Sequence, residues 1–363
     1  MPGTTLSAAP RGQFLASDPI RILIVDDSIV ARTVLARILE SRGEFQIVGS
    51  VANAGQALDL VSREAVDIVL LDLEMPGVSG LELLPQIIER SNGARVLVVS
   101  SMASDGAAAT VQALALGAAD TLQKPGVANF VGRFGETLAD RLIRIAAGRR
   151  NRAKAVSIVT RCSASALHAP IDCLAIGAST GGLHALTELL RNLPERFTAP
   201  ILITQHLPAA FMPYFADQVQ GIAGRPASVA RDGEKLEPSR ILIAPGEGHI
   251  RFKRIGDDVR IRLDPTPAAT LCMPSVDPMF ESLAQTFGAH GLAVVLSGMG
   301  RDGTIGAKAV SDAGGEILVQ DAATSVVWGM PGSVAEAGIA SAVLAPARIA
   351  ERIIARAGDG KWS

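Results

Sequence analysis

Short apolar runs alternate with amphipathic, helix-patterned stretches along most of this 363-residue chain. In the first third, the apolar runs fall at residues 22–25, 46–51, 67–71, 96–99 and 120–123. Runs of this length suit buried strands, and the amphipathic stretches between them suit crossover helices. Five such units predict a five-stranded, doubly wound, flavodoxin-like α/β domain over residues 20–140.

A second α/β pattern occupies residues 171–355. Its strand candidates are 173–176, 200–204, 240–243, 292–296 and 316–319, with a hairpin pattern at 250–253 and 259–263. These runs predict another doubly wound, mostly parallel sheet. The remaining segments are expected to be a disordered leader (1–19), an interdomain linker (141–170) and a tail (356–363).

Composition limits the classes of partner. The net charge is -2, and aromatic residues make up only 4% of the chain. Neither value favours nucleic-acid binding. No stretch approaches the ~18 apolar residues needed to insert in a membrane, so we expect a cytoplasmic protein. Three cysteines, Cys162, Cys173 and Cys272, form no C-x-x-C pair, which favours free thiols over disulfides or a zinc site.

Acidic residues follow two strands of the first predicted sheet. Asp26 and Asp27 follow the first strand, and Asp72 follows the third. The carboxyl ends of parallel strands share one edge, so these carboxylates meet in one crevice. Such a cluster needs raised pKa values or a hard cation, and Mg²⁺ fits. Ser100 and Lys124 end the fourth and fifth strands, and they complete a site suited to accepting a phosphoryl group.

At these residues the chain resembles the receiver domain of two-component response regulators. The resemblance implies that Asp72 is the phosphoacceptor and that Mg²⁺ binds Asp26, Asp27, Asp72 and the backbone carbonyl of Glu74. It also implies that Ser100 is the hydroxyl switch, that Lys124 pairs with the phosphoryl group, and that a histidine kinase is the phosphodonor. Thr121 departs from the family, which usually has an aromatic switch residue there, so the signal would take another route, such as the interdomain surface.

In the second domain, Ser179 lies in a turn of small residues between a strand and a helix. Backbone N–H groups at a helix start stabilise a negative oxygen, so Ser179 is a candidate nucleophile. His206 ends the next strand and is the candidate base. Asp302, in a glycine-rich loop after the strand at 292–296, is expected at the same sheet edge to orient the imidazole.

Other residues fit these roles less well. His184 lies on the helix after Ser179 and should point away from it. His168 lies in the linker and His290 in a turn. His249 lies at a strand start beside a cleft. Asp277 looks like a helix cap and Asp321 closes a later strand. A dinucleotide phosphate loop at 177–182 would require an acidic residue at the end of the next strand, where the chain has Gln205 and His206.

Six motifs then resemble, in order, the catalytic domain of chemotaxis protein-glutamate methylesterases of the CheB family: 176–182, 203–208, 243–246, 274–277, 296–303 and 328–331. The resemblance implies Ser179 as nucleophile, His206 as base and Asp302 as its orienting acid, with oxyanion-hole N–H groups near Thr180 and Met299. It further implies γ-glutamyl methyl esters of chemoreceptors as substrates, deamidation of receptor glutamines as a second reaction, and no metal requirement for the esterase.

Two other classes of function stay open. The output domain could bind a partner with a degenerate active site, although all three triad residues are present. It could instead regulate transcription, but it has no helix-turn-helix pattern or basic face. We expect the unphosphorylated receiver domain to cover the esterase cleft and phosphorylation of Asp72 to weaken that packing.

Overall fold

The computed structural model describes residues 18–100, 104–124, 133–151 and 169–358. Within them, the first parallel sheet consists of β1 (Ile20–Val25), β2 (Phe45–Val51), β3 (Ile68–Leu71), β4 (Arg95–Ser100) and β5 (Asp120–Gln123). The strand order is β2-β1-β3-β4-β5, the doubly wound order of flavodoxin-like folds. The predicted receiver fold is confirmed, and β1, β3 and β4 end side by side at the edge that carries the acidic residues.

Crossover helices cover both faces of this sheet: α1 (Ile29–Glu40), α2 (Ala54–Arg63), α3 (Gly80–Arg90), α4 (Ser104–Ala115) and α5 (Arg133–Asn151). Side-chain caps start several of them, as where Ser79 and Glu82 form a reciprocal capping box at α3. Helix α5 continues past 140, where the sequence pattern suggested the linker, because Leu142 and Ile145 extend its apolar face into the receiver core. The rest of the expected linker, to 168, lies outside the described residues, as do the leader to 17 and the tail from 359. Residues 356–358, expected in the tail, instead belong to the last helix, Pro346–Gly358.

A second parallel sheet follows, made of β6 (Cys173–Ala178), β7 (Ile201–Gln205), β8 (Ala227–Val229), β9 (Ile241–Ile243), β12 (Gly291–Val295), β13 (Glu316–Gln320) and β14 (Ala342–Leu344). Its order is β14-β13-β12-β6-β7-β9-β8. Between β9 and β12 the chain forms the predicted antiparallel hairpin of β10 (His249–Ile255) and β11 (Asp258–Asp264). The sequence pattern missed β8 and β14, since both are three-residue, half-buried edge strands with no continuous apolar run.

Helices again cover both faces: α6 (Gly182–Arg191), α7 (Met212–Ala223), α8 (Val276–Phe287), α9 (Thr304–Asp312), α10 (Met330–Glu336) and α11 (Pro346–Gly358). Strands β6 and β12 are buried along their whole length, as expected of central strands covered on both sides. Because β6 lies between β7 and β12, the loops that follow these three strands meet at one point. None of the helices in the described ranges is long and apolar enough to cross a membrane.

Candidate active site and phosphorylation site

Ser179 lies between the end of β6 and the start of α6, as the sequence predicts. Gly181 makes this turn possible with a φ of +74°, and a Cβ there would lie 2.4 Å from Cβ of Val326. Its N–H donates to the carbonyl of Ala119 in the receiver domain (2.7 Å). The nucleophile candidate is therefore half-buried at a helix N-terminus that the receiver domain contacts directly.

His206 follows β7 beside Ser179. Ala178 pairs with Gln205 in the β6–β7 register, so the next residues of the two strands are neighbours, and the His206 N–H donates to the Ala178 carbonyl at 3.1 Å. On the other side of β6, the loop after β12 brings Asp302 Oδ2 to 2.7 Å from His206 Nε2. All three predicted residues thus lie at one edge of the sheet.

The Asp302 carboxylate is buried and accepts several hydrogen bonds. Oδ2 accepts from the Val276 N–H at 2.8 Å, and Oδ1 accepts from the Ser275 hydroxyl at 2.7 Å and the Gly303 N–H at 3.0 Å. Burial opposes ionisation, but the bonds from His206, Ser275 and Val276 outweigh it and lower the pKa of Asp302 to about 2. Asp302 is therefore ionised at neutral pH.

This carboxylate fixes the tautomer of His206. An ionised carboxylate only accepts hydrogen bonds, so Nε2 of His206 carries the proton and Nδ1 presents its lone pair. Among the described residues, Ser179 Oγ makes no hydrogen bond, so its proton is available to Nδ1. The arrangement suits general-base activation of a serine, a contact that often tightens only when substrate binds.

Two backbone N–H groups beside Ser179 suit an oxyanion hole. Within the described parts of the chain, neither the Thr180 N–H nor the Met299 N–H is hydrogen-bonded. Met299 follows Gly298, where a Cβ would lie 2.9 Å from Cβ of Ser179. These are the two positions that the family resemblance implied.

Among the other histidines, sequence reasoning underestimated His249, which starts β10 and is 1% exposed. Its Nδ1 accepts from the Ser275 N–H at 2.8 Å, and Nε2 donates to the Thr266 carbonyl at 2.8 Å. His249 thereby holds the serine that donates to Asp302, a role that only the long-range pairing of β10 with the loop before α8 reveals. His184 is exposed, His290 pairs with Asp172 at 3.2 Å, and His168 lies outside the described residues.

Asp277 does not cap its own helix as its position suggested. Ser275 is the N-cap of α8, and Asp277 Oδ1 instead accepts from the Gly306 N–H in the first turn of α9 at 2.8 Å. Asp277 is 5% exposed. Burial, together with the nearby Asp302, raises its pKa to about 6. The other alternative acid, Asp321, follows β13 and accepts from the Thr324 N–H at 2.8 Å in a local turn.

The acidic cluster of the receiver domain is also assembled. Asp26, Asp27 and Asp72 each offer a carboxylate oxygen within 4.8 Å of the others, and Lys124 Nζ lies 2.8 Å from both Asp26 and Asp72. Burial raises the pKa of Asp72, while Lys124 opposes that shift. Arg32 also lies beside the cluster and donates to the backbone carbonyls of Asp26 and Asp27. The three carboxylates form an all-oxygen donor set, which fits Mg²⁺. Glu74 adjoins the cluster, and its N–H donates to Asp72 Oδ1 at 3.4 Å.

Ser100 and Thr121 connect this cluster to helices α4 and α5. The Thr110 hydroxyl donates to the Gly106 carbonyl at 2.6 Å, so the Ser100 hydroxyl must donate to Thr110 Oγ1, 3.0 Å away. The carbonyl of Thr121 accepts from Arg141 Nη1 of α5 at 2.6 Å. Helix α4 in turn packs on α6 and α7 of the second domain.

The two domains also meet directly beside Ser179. The Thr180 hydroxyl donates to Asp120 Oδ2 at 2.8 Å. Val326 and Val327 of the second domain belong to the apolar cluster of the receiver domain, and Met299 packs against it. Gly148 of α5 allows this approach, since a Cβ there would lie 2.0 Å from the Val326 carbonyl oxygen. The receiver domain therefore contacts both residues that offer the candidate oxyanion-hole N–H groups.

Comparisons with known proteins agree with both halves. A family model described as CheB methylesterase matches residues 174–353, and a model of the response regulator receiver domain matches residues 22–130. The catalytic domain of CheB methylesterase from Thermotoga maritima is 37% identical, with a TM-score of 0.50, over 51% of this chain and 97% of that chain.

Relatives of full length match as well. Protein-glutamate methylesterase/protein-glutamine glutaminase 2 of Caulobacter vibrioides is 40% identical over 93% of this chain and 99% of that protein. The protein of the same name from Pseudomonas aeruginosa is 39% identical over 94% of this chain and 99% of that protein. A receiver domain joined to a serine-hydrolase type of site defines the class of response regulators with an enzymatic output. Within that class, this chain belongs to the protein-glutamate methylesterase/protein-glutamine glutaminase family.

Proposed function

We propose that this protein hydrolyses glutamate γ-methyl esters on chemoreceptors, deamidates receptor glutamines, and is controlled by phosphorylation of Asp72. The observation that carries the esterase assignment is the 2.7 Å contact between His206 and the buried, ionised Asp302 beside the hydroxyl of Ser179. The family relationship supports the substrate class.

The reaction is acyl transfer. Nδ1 of His206 removes the Ser179 proton as Oγ attacks the ester carbonyl, and Asp302 stabilises the imidazolium that forms. The N–H groups of Thr180 and Met299 stabilise the negative oxygen of the tetrahedral intermediate. The imidazolium then gives its proton to departing methanol, and water hydrolyses the glutamyl ester of Ser179 by the same steps. With a glutamine side chain, ammonia leaves in place of methanol.

Asp72 is the phosphoacceptor of the receiver domain. Asp26, Asp27, Asp72 and the carbonyl of Glu74 would hold Mg²⁺, and the bound ion would supply positive charge to the phosphoryl oxygens. A histidine kinase of the chemosensory pathway is the physiological phosphodonor. Lys124, which pairs with Asp26 and Asp72, shifts to the phosphoryl group.

Phosphorylation relieves inhibition by the receiver domain. The contacts of Thr180 and Gly181 with Asp120 and Ala119 support a docked resting state in which a large receptor helix cannot reach Ser179. A phosphoryl group on Asp72 attracts the Ser100 hydroxyl away from Thr110 and so alters α4, which packs on α6 and α7. This route does not need an aromatic residue at position 121.

Methanol release from methylated chemoreceptors tests this proposal. We expect release by the full-length protein, faster with Mg²⁺ and a small-molecule phosphodonor. Ser179→Ala should lower turnover by roughly 10³-fold or more, as in other serine triads, while Asp72 still accepts phosphate. A wild-type protein that releases no methanol would instead support an output domain that only binds a partner.

A further inference from the structure

Cys272 lies next to the pair formed by His206 and Asp302. Its Sγ, a ring nitrogen of His206 and a carboxylate oxygen of Asp302 all lie within 4.8 Å of one another. Cys272 is half-buried, and within the described ranges its Sγ makes a single polar contact, a long one of 3.8 Å with the Thr270 carbonyl. The acylation chemistry has no use for this thiol.

The three side chains are the donor set of a zinc site. Zinc is bound in proteins by thiolate, imidazole and carboxylate, with bonds of about 2.0–2.3 Å, and three protein ligands leave a fourth position open. Bonds of that length place tetrahedral ligands about 3.5 Å apart. Rotation of the Cys272 side chain and a small opening of the His206–Asp302 contact would bring the three atoms to this spacing.

We propose that His206, Cys272 and Asp302 form a binding site for Zn²⁺ or a similar thiophilic divalent cation, and that occupation of this site inhibits the enzyme. The inhibitory part of this inference rests on the proposed function. The negative carboxylates of Asp302 and Asp277 favour a cation here. Burial is the main cause that raises the pKa of the Cys272 thiol, and the charges of Asp302 and Asp277 raise it further.

Inhibition follows from the proton balance. The cation bonds to Sγ, and the thiol proton passes to solvent. The cation also binds Nε2 of His206 in place of its proton. The ring stays neutral, because that proton moves to Nδ1. With Nδ1 protonated, the imidazole cannot accept the Ser179 proton, and Asp302 binds the cation in place of the ring N–H. The base is therefore lost without any change at Ser179.

Two measurements on the full-length protein, both with excess Mg²⁺ to saturate the receiver site, test this site. Co²⁺ is the spectroscopic probe. We expect a thiolate-to-cobalt charge-transfer band with the wild type and with Cys162→Ser, but not with Cys272→Ser. In the methanol assay, Zn²⁺ should inhibit the wild type, and addition of a chelator should restore its activity. Each protein is compared with its own metal-free rate. The Zn²⁺ concentration that halves this rate should be at least about 10-fold higher for Cys272→Ser than for the wild type.

Equal Zn²⁺ sensitivity of the wild type and Cys272→Ser, or a cobalt band that survives this substitution, would overturn the inference. A band that depends on Cys272 without inhibition would overturn its inhibitory part. If even the wild type releases no methanol, the proposed function fails, and the cobalt spectrum still decides whether the metal site exists.

Discussion

The hydroxyl of Thr180, the residue next to Ser179, donates a 2.8 Å hydrogen bond to the carboxylate of Asp120 in the receiver domain. The same oxygen of Asp120 accepts from Arg141 of α5 at 2.9 Å. Asp120 begins the strand that leads to Lys124, which contacts the phosphoacceptor candidate Asp72. One short strand therefore connects the acidic cluster with the turn that carries the nucleophile candidate.

Removal of this bond should raise basal esterase activity. Asp120→Ala eliminates the acceptor for Thr180, and one hydrogen bond of about 1 kcal/mol corresponds to about a fivefold shift toward the undocked state. We expect a similar increase in methanol release without a phosphodonor and a smaller stimulation by phosphorylation. Asp140→Ala on α5, whose carboxylate pairs with exposed Arg144, is the control. An unchanged basal rate for Asp120→Ala would argue against inhibition by docking.

The bond between Ser100 and Thr110 should hold the receiver domain in its resting state. Thr110→Val removes the acceptor of the Ser100 hydroxyl, which then turns toward a phosphoryl group at lower cost. We expect tighter binding of beryllofluoride with Mg²⁺, by about fivefold for a bond of about 1 kcal/mol. Thr33→Val removes a comparable helical hydroxyl, bonded to the Ile29 carbonyl of α1, and should leave the affinity unchanged. Identical affinities of the two variants would remove Thr110 from the switch.

Ser275 should influence catalysis through Asp302. Ser275→Ala removes a 2.7 Å donor, so the charge of Asp302 is less neutralised and stabilises the His206 imidazolium more strongly. The acid limb of kcat/KM against pH should therefore move to higher pH, by up to about one unit. Thr270→Val removes a hydroxyl 3.4 Å from the same oxygen and should produce a smaller shift. A lower rate with an unmoved acid limb would indicate a purely structural role for Ser275.

Asp277 should make the protein less stable as pH rises. Its folded-state pKa of about 6 lies above the ordinary value of 3.8, so the folded state binds the proton more tightly. The free energy of unfolding therefore decreases as pH rises between about 4 and 6, and it stays lower above that window. Asp277→Asn keeps an acceptor for Gly306 and should be more stable at pH 7.5, by up to about 3 kcal/mol. Urea denaturation at pH 4.5 and 7.5 measures this difference, and exposed Asp312→Asn, which should show none, is the control.

The central strands were predictable because both faces of each sheet are covered. Strands such as β12 then read as continuous apolar runs that end in Gly, Ser or Asp. The edge strands β8 and β14 have no such run, and their pairing depends on neighbours distant in the sequence. The extension of α5 was not predicted because basic residues surround its apolar positions Leu142 and Ile145. Only the folded structure shows that these two side chains enter the core.

The site was predictable where one rule sufficed, namely that parallel strands end at a common edge. That rule brought His206 and Asp302 together, as it did Asp72 and Lys124. It gave no information on residues that arrive from loops and from the hairpin. His249 and Ser275 support Asp302 through contacts across 26 residues of chain, and no local pattern marks either one as a partner of the triad.

Val326 and Val327, although they belong to the second domain, are 4% and 7% exposed because they complete the apolar cluster of the receiver domain. If phosphorylation separates the domains, both valines and the receiver residues that they contact become exposed to solvent together. Activation then exposes two complementary apolar surfaces. The phosphorylated protein should therefore self-associate more readily and bind more of a hydrophobic dye than the unphosphorylated protein. The resting state, by the same geometry, keeps both surfaces buried and should self-associate less.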